Sequence, residues 1–219
     1  MSFYKVNDIN FSELKFSRTK KTSGRRFILA YYNKKSFGLK IPKLRIPFDS
    51  RVNQFGQLEI NLSLGRDEEL INKLQNLDEE MENFAILNEW FEDGADFTYN
   101  PMIRQSGDFP PLLKMKVQNK DGVIKTLFYD EAKKKIDVND EDDVVSLMKK
   151  GTYVQSAIEC TGVWFGEDNK FGLCWKAEQI RIMSRPSSTK EEDCFTFCSD
   201  SEEEPESNDL LIDDDDDDE

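Results

Sequence analysis

The chain has 219 residues, with 44 Asp and Glu against 30 Lys and Arg and no histidine, so its net charge at pH 7 is −14. The lack of histidine excludes Ser-His and Cys-His nucleophile pairs, histidine metal sites and histidine general bases. No stretch approaches the roughly 18 apolar residues of a membrane span, and residues 1–5 begin no signal peptide. We therefore expect an intracellular protein that does not cross a membrane.

The negative charge is concentrated in the last part of the chain. Residues 187–219 hold 16 Asp and Glu against one lysine, whereas residues 1–186 hold 28 acidic and 29 basic residues. The near-neutral part is large enough to bury a sizeable core. A block of like charges, in contrast, repels itself and stays disordered. We predict a folded domain over residues 1–186 and a disordered acidic tail over residues 187–219.

Three strands are predicted in the first half of the domain. Arg25 to Tyr32 is an apolar run typical of a buried strand, and residues 33–36 form its turn. Phe37 to Phe48 changes its apolar phase at Pro42-Lys43. This slip predicts a bulge or bend in an edge strand, because proline cannot donate to a central ladder. Leu58 to Leu64 alternates apolar and polar residues, as a half-buried strand does.

One long helix is predicted from about Asp67 to Phe91. Its apolar residues recur at three- and four-residue steps, which gives it a single face to pack on a sheet. Acidic residues at its start suit the positive end of the helix dipole. A Pro- and Gly-punctuated loop is predicted at residues 100–111, and a charged connector with a short helix at residues 131–150.

Two hairpins complete the domain. Leu113 to Val117 and Val123 to Tyr129 flank the turn sequence Asn119-Lys120-Asp121-Gly122. The last hairpin runs from Thr152 to Phe165 and back from Phe171 to Met183. Periodicity alone predicts a mainly β fold, a barrel or a sandwich with one helix. The order of about seven strands with one helix after the third fits an OB-fold-like (oligonucleotide-binding) Greek-key barrel with one long inserted helix.

Three stretches interleave basic and aromatic residues. A protein that grips single-stranded nucleic acid needs cations along the phosphates and aromatic faces under the bases. The stretches supply Lys34, Lys35, Lys40, Lys43, Arg45 and Arg51; Arg104, Phe109, Lys114 and Lys116; and Trp164, Phe165, Lys170, Phe171, Trp175 and Lys176. Alternatively, the lysines are solvated strand edges and the rings belong to the core. Their coincidence with a polyanionic tail favours nucleic-acid binding.

The tail has two interpretations. An anionic segment tied to a cationic groove competes with any polyanion for that groove, or it only keeps the protein soluble. A short apolar knob followed by a run of acidic residues predicts docking to another protein. The knob is Leu210, Leu211 and Ile212, and the acidic run is Asp213, Asp214, Asp215, Asp216, Asp217, Asp218 and Glu219. Ser199 and Ser201 precede acidic residues and are predicted sites of an acidophilic kinase.

No cofactor, metal or enzymatic activity is predicted. The four cysteines are Cys160, Cys174, Cys194 and Cys198, and their spacing lacks the paired clips of zinc ribbons. A four-thiolate zinc site stays conceivable, but reduced thiols are the simpler interpretation. The chain also lacks the glycine-rich phosphate-binding loops of nucleotide enzymes.

Two segments resemble the single-stranded DNA-binding proteins of nucleocytoplasmic large DNA viruses. They are Asn100 to Ser106 continuing through Asp108 to Lys116, and Gly162 to Phe165 with Phe171 to Lys176. That family is similar to the T7-type phage protein, an OB barrel with an inserted helix and an acidic C-terminal arm. The resemblance implies DNA-binding roles for Arg104, Phe109, Lys114, Lys116, Trp164, Phe165, Trp175 and Lys176. Phage arms of this type end in an aromatic residue, whereas this chain ends Asp218-Glu219.

The resemblance also implies a place in viral DNA replication and recombination. The expected partners are single-stranded DNA and, through the tail, a polymerase, helicase or primase, and a homodimer is possible. The expected location is the host cell cytoplasm, at the viral replication site, or the nucleus. Two other functions stay open from the residues alone: a chaperone or adaptor whose acidic tail binds basic proteins, and a carboxylate-dependent nuclease.

Overall fold

The computed structural model describes residues 1–22, 25–53 and 56–185. The predicted tail, with its apolar knob and its serines, lies outside the described residues. Two short 3-10 turns, Val6–Asp8 and Phe11–Glu13, precede the second strand. The helices are α1 (Glu68–Leu87) and α2 (Glu141–Leu147). The strands are β1 (Ser2–Lys5), β2 (Lys15–Phe16), β3 (Lys20–Thr22), β4 (Arg25–Ile28), β5 (Ala30–Tyr31), β6 (Phe37–Arg45), β7 (Arg51–Val52), β8 (Leu58–Ser63), β9 (Thr98–Tyr99), β10 (Ile103–Ser106), β11 (Phe109–Val117), β12 (Asn119–Lys120), β13 (Val123–Ile124), β14 (Leu127–Tyr129), β15 (Lys135–Ile136), β16 (Tyr153–Phe165) and β17 (Lys170–Ser184).

Five strands close into a barrel. Their order around the ring is β6, β8, β11, β17, β16 and back to β6. All neighbours are antiparallel except β11 and β17, which run parallel. Numbered along the chain, the order is 1-2-3-5-4, the Greek-key closure of a small OB barrel. The mainly β fold with one long inserted helix is confirmed, and within the ring that helix follows the second strand.

Alternation along the barrel strands divides each of them into an inner and an outer face. Successive side chains of a strand point to opposite sides of the sheet, and here the inner ones are apolar. The inner residues of two neighbouring strands are Leu58, Ile60 and Leu62 of β8 and Leu113, Met115 and Val117 of β11. The outer residues between them are polar or charged, so the barrel wall can carry a binding surface without disturbing its core.

The strand β6 carries the predicted bulge. Its residues Pro42 and Lys43 lie opposite the single residue Gln155 of β16, between the pairs Ile41–Ser156 and Leu44–Val154. The bulge places the missing proline N–H where the ladder is already interrupted. The expected edge position is wrong, however. The strand β6 pairs with β16 on one side and with β1 and β8 on the other, so it is an interior strand of the sheet.

Two local predictions need correction. Residues 100–111 are not a loop: Ile103 pairs with Leu113 and Arg104 with Leu112, so β10 folds back on the start of β11. Asn119–Lys120 and Val123–Ile124 do form a tight hairpin, with positive φ at Asp121 and Gly122. The following strand β14 does not return along β11, however, but pairs parallel with β17. Partners distant in sequence take these strands, and periodicity reveals no partner.

The long helix begins as expected and ends early. The Asp67 carboxylate caps it by accepting from Leu70 N at 3.0 Å. Leu74, Leu77 and Met81 lie fully buried on its inner face. The helix ends at Leu87, and Glu89 takes a φ of 51° that turns the chain. The expected end at Phe91 is therefore wrong by about one turn, because this turn brings Trp90 back into the core at 4% exposure.

The N-terminal 3-10 turns pack against α1, a contact that the sequence patterns did not predict. Phe11 is completely buried, and Ile9 and Leu14 are each 1% exposed. Both 3-10 turns contact the helix, and Asn7 Nδ2 donates to Glu69 Oε1 at 2.6 Å. The helix is thus held between the N-terminal segment and the barrel.

Gly162 should be among the least replaceable residues of the barrel. Its φ is +134°, and a Cβ there would lie 2.1 Å from Ile28 O. We expect Gly162→Ala to lower the free energy of unfolding by about 3 kcal/mol or more, from overpacking plus backbone strain. The matched control is Gly65→Ala, since Gly65 also has positive φ but nothing within 4 Å of its Cβ position. Strain alone costs about 1–2 kcal/mol, so equal losses in urea unfolding would contradict the packing argument.

Candidate nucleic-acid interface

A groove of about 1430 Å³ crosses the outside of the barrel. Its floor comes from the outer face of β8 and β11, with Glu59, Lys114 and Lys116. One wall is the connection from β6 to β8, and the other is the turn from β16 to β17 at residues 166–169. In OB folds the second and third strands, with the loops between strands one and two and between four and five, form the surface that binds oligonucleotides. The groove occupies this surface.

Cations dominate the groove. Its lining includes five basic residues, Arg26, Arg51, Arg104, Lys114 and Lys116, against two acidic ones, Glu59 and Glu167. Since residues 1–186 as a whole carry only +1, this excess is local. A cleft lined by one sign of charge focuses its field and attracts an oppositely charged ligand, so the groove suits a polyanion.

A charged row runs across four strands at one end of the groove. Lys116 lies opposite Glu59 on one side and Lys176 on the other, and Lys176 lies opposite Glu159. Like charges directly opposite each other destabilise a sheet. Burial, together with a hydrogen bond and charge from Glu178, raises the pKa of Glu159. The strand pairing thus sets two lysines side by side at the end of the groove.

Glu59 holds one lysine in place on the groove floor. The Lys114 Nζ lies 2.7 Å from Glu59 Oε1 and 2.8 Å from Oε2, and Asn53 Nδ2 donates to the same carboxylate at 2.8 Å. Partial burial acts to raise the pKa of Glu59, but these hydrogen bonds and the charges of Lys114 and Lys116 outweigh it, so the pKa is lowered. Glu59 is thus ionised, and its carboxylate holds the Lys114 side chain in one orientation.

Aromatic rings form the wall nearest the turn at residues 166–169. Trp164 and Phe165 line the groove from the end of β16. The Arg26 guanidinium lies 4.1 Å from the Phe165 ring centroid and also donates to Trp90 O. Desolvation lowers the pKa of Arg26, but a guanidinium stays charged in proteins. The groove therefore offers the Trp164 indole as a stacking surface. The Phe165 ring is already occupied, since Arg26 lies over it and Phe171 packs nearly parallel to it.

Trp164 owes its position to a glycine on the neighbouring strand. Gly172 lies opposite Trp164 in the β16–β17 pairing. A Cβ at Gly172 would lie 3.0 Å from Trp164 Nε1 and 2.9 Å from Asn100 O. The missing side chain lets both the indole and the segment after β9 approach β17 closely.

The segment that carries Arg104 is tied to α1 by one carboxylate. Asp78 Oδ1 accepts from Tyr99 Oη at 2.7 Å and from Met102 N at 2.9 Å, and Oδ2 accepts from Ile103 N at 3.2 Å. Burial raises the pKa of Asp78 above its ordinary value of 3.8, although the three hydrogen bonds oppose the shift. Asp78 therefore fixes, from the helix, the segment from Tyr99 to Ile103 that leads to Arg104 at the edge of the groove.

The structure brings together eight of the residues predicted from sequence. Arg104, Lys114, Lys116, Trp164 and Phe165 line the groove, and Trp175 lines a small pocket that adjoins it. Lys176 lies beside Lys116 in the charged row. Arg51, which belongs to the first predicted stretch, also lines the groove.

The other predicted residues lie elsewhere. Phe171 is completely buried among aromatic rings, so the prediction that it stacks on a base is wrong. Phe109 is 76% exposed beside the β10–β11 turn and does not line the groove. The Lys170 Nζ lies 3.5 Å from Asp168 Oδ2 at the turn between β16 and β17. Outside the groove, Lys34 and Lys35 lie in the turn after β5, and Lys40, Lys43 and Arg45 lie exposed on β6.

Sequence reasoning missed several lining residues. Arg26 opens a strand that was read only as core, and Phe91 was placed at the end of the helix. Asn53 and Gln57 belong to a connection with no periodic signal. The basic pair Arg25-Arg26 at the start of a buried strand was the one available sign, since arginines are rarely buried without partners.

Within the described ranges, no group of three or more His, Cys, Asp or Glu residues is placed to hold a metal ion. No helix in this part of the chain is long and apolar enough to cross a membrane. The two described cysteines are free, and burial raises the pKa of the Cys160 thiol far above its usual range.

No protein-family model and no curated protein matches the chain. Among solved structures it is similar to gp2.5, a single-stranded DNA-binding protein encoded by bacteriophage T7, at 12% identity and a TM-score of 0.49, covering 70% of this chain and 94% of that chain. It is also similar to the single-stranded DNA-binding protein from bacteriophage Enc34, at 11% identity and a TM-score of 0.46, covering 81% and 95%. The Enc34 protein in complex with single-stranded DNA matches at 11% identity and a TM-score of 0.41, covering 78% and 97%. These likenesses concern the fold and transfer no residue role.

Removal of the Asp78 carboxylate should destabilise the protein. We expect Asp78→Ala to lower the free energy of unfolding by about 3 kcal/mol, because three donors lose their buried acceptor. Asp78→Asn is the matched control: its remaining oxygen can still accept from Tyr99 and Met102, so it should cost less. Urea unfolding of the two variants measures the difference, and equal losses would contradict the anchoring role.

The pH dependence of the Asp78 effect has a definite sign. Because the pKa of Asp78 is raised in the folded state, the folded protein holds this proton more tightly than the unfolded chain. The stability that Asp78 contributes is therefore greatest at low pH and falls as the pH rises from about 3.8 through the raised value. The stability of Asp78→Asn relative to the unaltered protein should rise over the same interval.

Proposed function

We propose that the protein binds single-stranded DNA in the groove, with little dependence on sequence and without catalysing a reaction. The observation that carries this proposal is the groove itself: five basic residues and the Trp164 indole line one continuous surface whose floor is the second and third barrel strands. Phosphates and bases alternate along a nucleic acid, and this surface offers a partner for each. The basic residues fit the phosphates, and Trp164 fits a base.

The stacking surface in the groove favours single-stranded over double-stranded DNA. An unpaired base exposes its face to stacking, whereas the faces of a duplex are covered by its neighbours. Every base has such a face, so stacking tolerates any sequence. Charge along the floor adds affinity that depends on salt rather than on sequence.

The acidic tail is proposed to compete with DNA for the protein. Residues 187–219 carry a charge of −15, from 16 acidic residues and one lysine. A tethered polyanion acts at a high effective concentration and so opposes a second polyanion. Free DNA at sufficient concentration would displace the tail.

We further propose a role in viral DNA replication and recombination. The resemblance to proteins of large DNA viruses and of T7-type phages supports it, as does the chemistry of the groove. In this proposal the tail recruits a polymerase, helicase or primase through Leu210, Leu211 and Ile212, and the protein works in the cytoplasm or nucleus of the host cell. A homodimer is compatible with this role.

Groove substitutions should weaken DNA binding in two distinct ways. We expect Trp164→Ala to reduce affinity for an oligo-dT strand by about 5- to 150-fold, since one stacked base contributes about 1–3 kcal/mol. Lys116→Ala should lower the slope of log affinity against log salt by about 0.7, the value for one phosphate contact to a single strand. Fluorescence anisotropy across a salt series measures both.

The control for the groove variants is Lys40→Ala. Lys40 is exposed on β6 and does not line the groove. Its loss should change affinity by less than about twofold, as is usual for surface residues outside a site. If Lys40→Ala weakens binding as much as Lys116→Ala does, the protein attracts DNA through its general surface and the groove is not the site.

Removal of the tail should tighten DNA binding. A protein ending at residue 186 is expected to bind oligo-dT more tightly than the full chain at low salt, with the difference shrinking as screening increases. The matched control keeps the length and replaces Asp213 to Asp218 by asparagine. Equal affinity of all three proteins at every salt concentration would refute the competition. Binding of basic proteins but not of DNA would instead favour the acidic chaperone.

A further inference from the structure

The barrel has an open seam between its third and fifth strands. Only two pairs join β11 to β17 in parallel, Lys116 with Lys176 and Val117 with Ala177. Before these pairs, β10 pairs with the edge of β11 that faces β17, and β9 pairs with β17. Between them, residues 114–115 of β11 and 172–175 of β17 form no strand pairs with each other, and the groove passes over this interval.

A pocket of about 100 Å³ occupies the seam. Its two sides are Lys114 and Lys116 of β11, and Leu173 and Trp175 of β17. The segment from Asn100 to Arg104 and the Trp164 side chain complete it, so the pocket opens beside the groove and shares part of its lining. A strand bound in the groove would pass directly over this opening.

Trp175, which lines the pocket, carries a buried donor that lacks an acceptor. The side chain is 4% exposed and packs edge-on against Phe37, with ring centroids 6.0 Å apart. Its Nε1 is closed to solvent and has no hydrogen-bond partner among the residues that the structure describes. A buried N–H without a partner is costly, and indole nitrogens in protein interiors usually have one. A ligand atom supplies the acceptor when it enters the pocket and moves the lining aside.

We propose that the seam pocket receives one pyrimidine base of the bound strand, inserted edge first, with a ring carbonyl accepting a hydrogen bond from Trp175 Nε1. This inference rests on the proposed single-stranded DNA binding. Since one water needs roughly 10–15 Å³ of such space, the pocket holds several waters' worth of ligand, which suits a single ring. Thymine and cytosine each carry a carbonyl on a single ring, whereas adenine and guanine also carry acceptors but on two fused rings, which fill more space.

The surroundings fit an inserted base. Met102 and Leu173 provide apolar surface for its faces. Arg104 and Lys114 lie at the same opening and can hold the phosphates on either side of it. The result is one position of pyrimidine preference within a site that otherwise tolerates any sequence.

The chain is well suited to a direct test, because it contains only three tryptophans. Protein labelled with ¹⁵N at the indole nitrogens gives one resonance each for Trp90, Trp164 and Trp175, assigned by single Trp→Phe variants. On titration of the full-length protein with oligo-dT, we expect the Trp175 indole resonance to move downfield and its hydrogen exchange to slow. Oligo-dA should leave both unchanged while still shifting the resonance of Trp164.

Binding measurements give the second arm of the test. Trp175→Phe keeps an aromatic ring and removes the donor, so we expect the dT to dA affinity ratio to fall roughly 3- to 10-fold, the loss typical of one hydrogen bond. The matched control, Trp90→Phe, makes the same replacement at a buried ring that lines neither the groove nor the pocket, and it should leave that ratio unchanged. Thermal unfolding verifies that both variants are folded, and if Trp175→Phe is not, the indole spectrum of the unaltered protein decides.

The outcomes separate this inference from the proposed function. If oligo-dT binds and shifts the Trp164 resonance while Trp175 is unaffected, or if the ratio survives in folded Trp175→Phe, the pocket receives no base and single-stranded DNA binding stands. If no oligonucleotide binds at all, both proposals fail.

Discussion

The short parallel pairing of β11 with β17 is the constraint on which the rest of the binding surface depends. Two residue pairs close the ring, and they bring the middle of the domain sequence next to its last strand. Antiparallel neighbours can be joined by tight turns, but this parallel pair needs a long connection. That connection contains β12 to β15, α2 and the whole of β16. The binding surface therefore depends on segments that are distant in sequence.

The same pairing explains why the groove is both charged and stable. Closure places Lys116 next to Lys176, an arrangement that a sheet tolerates poorly. Glu59 and Glu159 flank the two lysines, and Glu59 is fully engaged with Lys114. Glu178 lies against Glu159, so carboxylates and lysines alternate around the closure and hold the two cations in place.

Much of this architecture could be predicted from local patterns, and the failures have a common cause. Alternation identified β8 and the end of β11, and a turn sequence identified the hairpin of β16 and β17, because these signals belong to each segment alone. They could not show that β14 pairs with β17 or that residues 103–106 fold back on β11, since a partner is a property of two distant segments. For the site, residue type was informative for Trp164 and Lys116 but misleading for Phe171. Both aromatic residues lie in the same hairpin, yet only packing decides that Phe171 is inside.

The glycine and tryptophan of the closing hairpin show how a binding surface arises from packing. Trp164 and Gly172 are opposite each other, and the absence of a side chain at Gly172 brings both the indole and Asn100 O close to β17. Asp78 fixes the same segment from the helix side through Met102 and Ile103. The long inserted helix therefore does not only pack on the barrel. Its Asp78 carboxylate also fixes the backbone from which Arg104 extends. A helix placed after the third ring strand could not serve this purpose, because the segment that it holds leads directly into that strand.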